Sequence, residues 1–259
     1  RVLDVDPEAL VTQTQDERLG WGLGFYQGGE ALLRRRPMDD RDAVDVASLI
    51  HDVRTDALIG NVRTISFGEP RTHNTEPFRY RQWLFAHHGT IERFDRLRTR
   101  LAESIPDFLR RNVRGETDGE FAFYLFLSFL HDAGRLNGVA PATGITEALR
   151  GTLALIDRLA REEGVDNAGE IGILVSDGEM LVGLSRGANM AYRPVQGEND
   201  IETLLSEDSM RRRRLPDMAR VRFCVVASGL QEKRHGWTRM PDRSTLVLDR
   251  FNQPVVETF

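Results

Sequence analysis

A single cysteine, Cys224, stands in the 259 residues of this chain. A disulfide framework within the chain, and a zinc site built from several thiolates, are thereby excluded. One thiol is compatible with a reducing compartment, and a cytoplasmic location is expected. Long apolar runs are missing too: none approaches the roughly 18–20 residues that a helix needs to cross a bilayer, so no membrane partner is expected. Nor is there an excess of positive charge. Lys and Arg number 35 against 40 Asp and Glu, a formal net charge of −5, which offers a nucleic-acid backbone no overall attraction. The one dense basic run, Arg211 to Arg214, follows Glu207 and Asp208 and reads as a solvated loop rather than a phosphate-binding patch. The opening stretch RVLDVDPEALVTQTQ lacks the cationic-then-apolar pattern of a secretory leader. Repeats and low-complexity tracts are absent, and a start at Arg rather than Met suggests that further residues precede it.

What is present suits a globular fold. Hydrophobic residues make up 40% and charged residues 29%, and the length suffices for a large core in one domain or at most two. Residues 21–26 (WGLGFY) read as a glycine-punctuated central strand. Gly28-Gly29 is a hairpin turn into a second strand at 31–35. A short helix is expected at 42–50, and strands at 57–64 and 82–87 flank a turn-rich loop. From Ile91 the period changes: Ile91, Phe94, Leu97, Leu101, Ile105 and Phe108 recur as one amphipathic helix requires. Residues 120–132 are apolar nearly all round and predict a deeply buried helix. A third helix is expected at 145–163. Strands follow at 171–176 and 180–185 around a two-residue Asp177-Gly178 turn, then at 221–228, 245–248 and 255–257. Strands, then helices, then strands favour a layered α+β fold over alternating βαβ units, with two sheets face to face and helices outside.

Four segments carry chemistry-bearing residues in a fixed order. They are GWGLGFY at 20–26, Asn61-Val62-Arg63-Thr64 with Gly68 and Pro70 beyond, NTEPF at 74–78 leading into FAHHGTI at 85–91, and TDGE at 117–120. Together they resemble the GWG, arginine-strand, N-x-H-P-F, F-x-H-N-G-x-I and T-D-S-E motifs of class II glutamine amidotransferases, members of the N-terminal-nucleophile hydrolases. The resemblance runs through nearly the whole chain. It implies a four-layer α/β/β/α sandwich and a single domain over residues 1–259, its first strand falling upstream of Arg1. In that family an N-terminal cysteine attacks the side-chain amide of glutamine, with its own α-amino group as base. The oxyanion rests on an Asn side chain and a Gly N–H. An arginine grips the α-carboxylate and an aspartate the α-ammonium. The resemblance therefore assigns a catalytic oxyanion role to Gly89 and His88. It assigns substrate binding to Arg63 and Asp118, together with Thr64, Asn74 and His87. No cofactor and no metal are implied. The expected small-molecule partner is a glutamine-like amino acid or amide, and any use of released ammonia would fall to a partner protein.

Several positions depart from the pattern. Arg1 is not a nucleophile, Glu76 replaces His, His88 replaces the oxyanion Asn, and Gly119 replaces Ser. A histidine keeps an N–H donor but adds a pH-dependent charge. The expected activity is hydrolysis of glutamine or a γ-glutamyl amide, given a cysteine upstream of Arg1. A pseudoenzyme that binds an amino acid or a protein partner is the rival, and an upstream Ser or Thr nucleophile is a third reading. Plainer roles stand beside these: Arg63 as a salt-bridged strand residue, and Thr117-x-x-Glu120 as a capping box with Asp118 favoured by the helix dipole. His73, His87, His88 and Glu76 do not form a metal site on spacing, because adjacent strand residues face opposite ways. Cys224 reads as a small core residue.

Overall fold

The computed structural model describes residues 20–37, 53–63, 69–204, 222–229, 236–250 and 254–259. In chain order these give β1 (Gly20–Gln27), β2 (Glu30–Arg36), β3 (Leu58–Arg63), a 3₁₀ turn (Thr72–Asn74), β4 (Phe78–Tyr80) and β5 (Trp83–Gly89). Helices α1 (Phe94–Glu103), α2 (Asp107–Arg110), α3 (Asp118–Asp132) and α4 (Ala142–Glu162) follow. The rest is β6 (Ile171–Ser176), β7 (Met180–Arg186), β8 (Ala191–Gln196), α5 (Gly197–Leu204), β9 (Arg222–Ala227), β10 (Thr238–Arg239), β11 (Ser244–Asp249) and β12 (Val255–Thr258). The helix expected at 42–50 and the basic run at 211–214 lie outside the described residues. Among the described residues no helix is long and apolar enough to cross a membrane.

A six-stranded sheet ordered β12-β11-β7-β6-β5-β4 forms the centre. Alternation along β5 splits its side chains between two cores. Trp83 and Phe85 join the helices, whereas Leu84 and Ala86 join β1, β2 and β3 on the other face. Two three-stranded sheets, β2-β1-β3 and β10-β8-β9, lie on that second face. The described layers are thus helices, the central sheet and a second β layer, the α+β arrangement that the order of elements suggests.

Helix α3 runs through the helical core, and its buried residues surround its axis, as its sequence requires. Phe126 meets Trp83 edge-on at 5.5 Å between ring centroids, and Phe123 meets Phe85 at 5.2 Å. The single helix expected over 91–108 is instead two. Arg93, at φ 54, precedes α1, and Pro106 stands ahead of α2. A proline disfavours helical geometry in the residue before it and brings no N–H to the ladder. Phe108 therefore leaves the buried stripe and lies 40% exposed against His131.

The Gly28-Gly29 turn has φ of 62 and 83, as a two-residue turn with both central residues left-handed demands. The β6–β7 turn is wider than its Asp-Gly signal suggests, because Ser176 pairs with Leu181. The Asp177 carboxylate gathers the N–H groups of Glu179 and Met180 at 3.0 and 2.9 Å, closing a longer loop. Strands β4, β8 and β10 and helix α5 were not legible in the apolar pattern, being short or, in β8, interrupted by Pro194. Truncating Phe126 to Ala is expected to cost about 3–5 kcal/mol in urea-induced unfolding, and Phe108→Ala under about 1 kcal/mol. Equal losses would contradict the broken helix.

Candidate active site

Every second residue at the start of β1 is glycine, so one face of that strand carries no side chains. That face lies on the loop before β4: a Cβ on Gly22 would stand 2.0 Å from the Glu76 carbonyl oxygen, and one on Gly24 3.0 Å from Leu84. The glycines of GWG are therefore close-packing devices. Gly22 pairs in register with Asn61 of β3, and Gly20 with Arg63.

Beneath this contact lies Glu76, wholly buried, ahead of a cis bond to Pro77. Its Oε2 accepts the backbone N–H of His87 and the Nδ2 of Asn61, the latter at 3.1 Å. Asn61 also donates to the His87 carbonyl oxygen at 3.2 Å. One carboxylate thus joins β3, β5 and the loop between them, and charge-assisted bonds are what allow a carboxylate to be buried. Its other oxygen lies under the first turn of α3, 2.5 Å from where a Cβ on Gly119 would be.

The start of α3 is built as the capping pattern implies, with one change. Thr117 caps the helix, its Oγ1 accepting the Glu120 N–H at 3.4 Å. Glu120 reaches further back than a capping box requires, accepting from Arg114 N at 3.0 Å and Gly115 N at 2.7 Å. Burial pushes the Glu120 carboxyl above its ordinary value of 4.5, against the opposing pull of those N–H groups and of Arg35. Asp118, also buried, accepts Ile91 N at 2.8 Å through Oδ2 and Gly119 N at 3.0 Å through Oδ1. It ties the helix start to the turn that leaves β5.

That turn is Gly89-Thr90-Ile91. Gly89 has φ 98, and a Cβ there would meet the Glu170 carbonyl oxygen at 1.9 Å. Thr90 N donates to the same oxygen at 3.2 Å, and Glu92 N to the Ala168 carbonyl at 3.0 Å. An open hollow of about 680 Å³ beside the turn is lined by Gly89, Thr90, Glu92, Asn167 and Glu170 among others. It gives solvent a way to the Gly89 backbone.

Of the residues singled out from the sequence, Gly89, His87, His88 and Asp118 come together at the end of β5 and the start of α3. His87 is buried on the helical side, its Nδ1 lying 3.2 Å from the same vacant Cβ position of Gly119. His88, next in the strand and half-buried, alternates to the inter-sheet side. Asn74 holds the loop, accepting Glu116 N at 2.8 Å and donating to the Glu69 carbonyl at 2.9 Å. Arg63 ends β3; its side chain and Thr64 lie outside the described residues. Among the described residues no group of three His, Cys, Asp or Glu side chains is placed to hold a metal ion. Cys224 is partly buried, and burial pushes its thiol up to about 12, which is unsuited to a nucleophile.

Glu76 and Asn61 were missed as partners. Asn61 was visible only as the first letter of its motif, and Glu76 only as a departure from another and as a member of the rejected metal group. Glu120 gives a pH test. Its folded value lies above 4.5, so the stability it contributes is full below that pH and is lost as pH rises through the folded value. Urea midpoints followed from about pH 4 upward are expected to show that loss in the native chain and a flatter profile in Glu120→Gln.

The family described as class-II glutamine amidotransferases matches residues 8–252. The probable glutamine amidotransferase DUG3 of Saccharomyces cerevisiae is 26% identical over 275 residues, spanning 93% of this chain and 75% of that protein. The gamma-glutamyl-hercynylcysteine sulfoxide hydrolase of Mycobacterium tuberculosis is 31% identical over 75 residues, 29% of this chain and 32% of that one. Among solved structures, a glutamine aminotransferase class-II domain protein from Silicibacter pomeroyi superposes with TM-score 0.63 at 21% identity, over 93% of this chain and 91% of that one. The glutamine phosphoribosylpyrophosphate amidotransferase of B. subtilis superposes with TM-score 0.58 at 12% identity, over 99% of this chain and 46% of that one. The fold is that of the N-terminal-nucleophile hydrolases, and by the extent of the family match the chain belongs to the class II glutamine amidotransferases.

Proposed function

We propose that this chain hydrolyses the side-chain amide of glutamine or a γ-glutamyl amide, with a cysteine contributed by residues preceding Arg1. The thiolate attacks the amide carbonyl, and the tetrahedral oxyanion is received by the Gly89 N–H and a His88 ring N–H. The C–N bond breaks, and the amide nitrogen leaves as ammonia with the proton taken from the thiol. Water then cleaves the thioester, returning the thiol and releasing the carboxylate. Arg63 holds the substrate α-carboxylate and Asp118 its α-ammonium. Ammonia passes to a partner protein or to solvent.

The observation that carries this reading is the Asp118–Ile91 bond of 2.8 Å. It fastens the helix start bearing the proposed ammonium acceptor to the turn bearing the proposed oxyanion donor. A carboxylate has about four acceptor directions, so the two backbone bonds leave capacity for an ammonium group. The relatives support the substrate class, one being a probable glutamine amidotransferase and another, over a shorter stretch, named a gamma-glutamyl-hercynylcysteine sulfoxide hydrolase.

One observation favours a second reading, a fold kept to bind a protein partner without turnover. The Asp118 carboxylate is 1% exposed and already engaged by two N–H groups, as a purely structural aspartate would be. The test uses the protein with its preceding residues. Ammonia release from glutamine is expected, with Arg63→Ala raising KM by about 10- to 150-fold, the loss of hydrogen bonds to a charged group. Absence of release from glutamine and from γ-glutamyl amides would sink the hydrolase reading, and absence of calorimetric glutamine binding as well would support the second.

A further inference from the structure

We infer that Glu76 and Gly119 are a mutually fitted pair, in which the buried carboxylate is a positioning residue for the amide-binding site and the missing side chain at 119 makes its room. The positioning role rests on the hydrolase reading; the fit of the pair does not.

Two glycines bracket Glu76. A Cβ at 22 would stand 2.0 Å from its carbonyl oxygen, and a Cβ at 119 would stand 2.5 Å from its Oε1. Retreat of the carboxylate from that position would cost the bonds that hold its Oε2 to the His87 N–H and the Asn61 amide. A second contact closes the same space, with His87 Cβ and Nδ1 each 3.2 Å from the vacant position at 119. Gly119 itself sits within a regular helical turn, where alanine is the better helix former. Backbone conformation therefore does not call for glycine there, and the carboxylate beneath it does.

The three segments that meet at Glu76 each carry a proposed site residue. Asn61 is two residues before Arg63 on β3, His87 immediately precedes His88 and Gly89 on β5, and Gly119 follows Asp118 on α3. Both members of the pair also depart from the motifs that the chain otherwise resembles, Glu for His and Gly for Ser. The contact gives the two departures a common physical cause: the carboxylate that lies under the first turn of α3 leaves no volume for a side chain at 119.

The experiment is a double-variant cycle in the protein carrying its preceding residues, with Gly119→Ala and Glu76→Asp made singly and together. Gly119→Ala is expected to lower Tm by about 2–10 °C, as overpacking a buried site does. The shorter Asp vacates the space, so the double variant should fall by less than the sum of the single shifts. Additive shifts would overturn the fit. Well below Tm, Gly119→Ala should lower kcat/KM for glutamine about 10- to 100-fold, mainly through KM, and Glu76→Asp, whose shorter carboxylate gives up the His87 and Asn61 bonds, should lower it as well. A lower Tm with unchanged kinetic constants would overturn the positioning role. A native protein that neither turns over nor binds glutamine or glutamate would remove the hydrolase reading and that role with it, while the melting cycle would still decide the pairing.

Discussion

The whole arrangement turns on how closely the β1–β2–β3 sheet can approach the loop ahead of β4. With Gly22 lying over the Glu76 carbonyl, any side chain at that point would force the layers apart. Close approach brings Asn61 within reach of the Glu76 carboxylate and the His87 carbonyl. The bond network at the end of β5 depends on that distance. The bare face of β1 is thus a structural requirement whose consequence is felt at the site.

A second constraint comes from the helical side. Helix α3 is fixed along its length by aromatic packing against β5, through Phe123 on Phe85 and Phe126 on Trp83. Its first turn is fixed separately by Thr117, Asp118 and Glu120, each accepting backbone N–H groups. A rigid helix with a tied start can hold the Gly89 turn in a conformation that only glycine adopts without strain. In the proposed reaction this geometry fixes in advance where a developing negative charge finds donors, and such preorganisation is where the largest electrostatic gains in acyl transfer arise.

Several roles left open by the sequence acquire a definite meaning in the fold. Thr117-x-x-Glu120 is a cap, but one whose glutamate bonds Arg114 and Gly115 rather than the capping residue. Asp118 ties two segments together, bonding the Ile91 and Gly119 N–H groups. Asn74 spends both ends of its amide on neighbouring backbone. The paired histidines divide between the two faces of β5, so adjacent letters of one motif serve different layers of the molecule.

The sequence by itself determined the layered α+β class, the burial of α3 and the order of the motif-bearing segments. These depend on periodicity and on residue type at fixed spacing, which are local properties. It also marked the glycine hairpin at 28–29, because a left-handed turn has so few suitable residues. The helix break at Pro106 and the longer 177–180 loop were within reach of local rules but were overridden there by a strong apolar period and a familiar turn signal. What the sequence left undecided is that the Glu76 carboxylate links β3 and β5, that Gly22 and Gly119 stand on either side of it, and that Asp118 closes onto Ile91. Those facts are distances between segments far apart in the chain, and they are set by how near two sheets and a helix can pack. No local pattern encodes that separation.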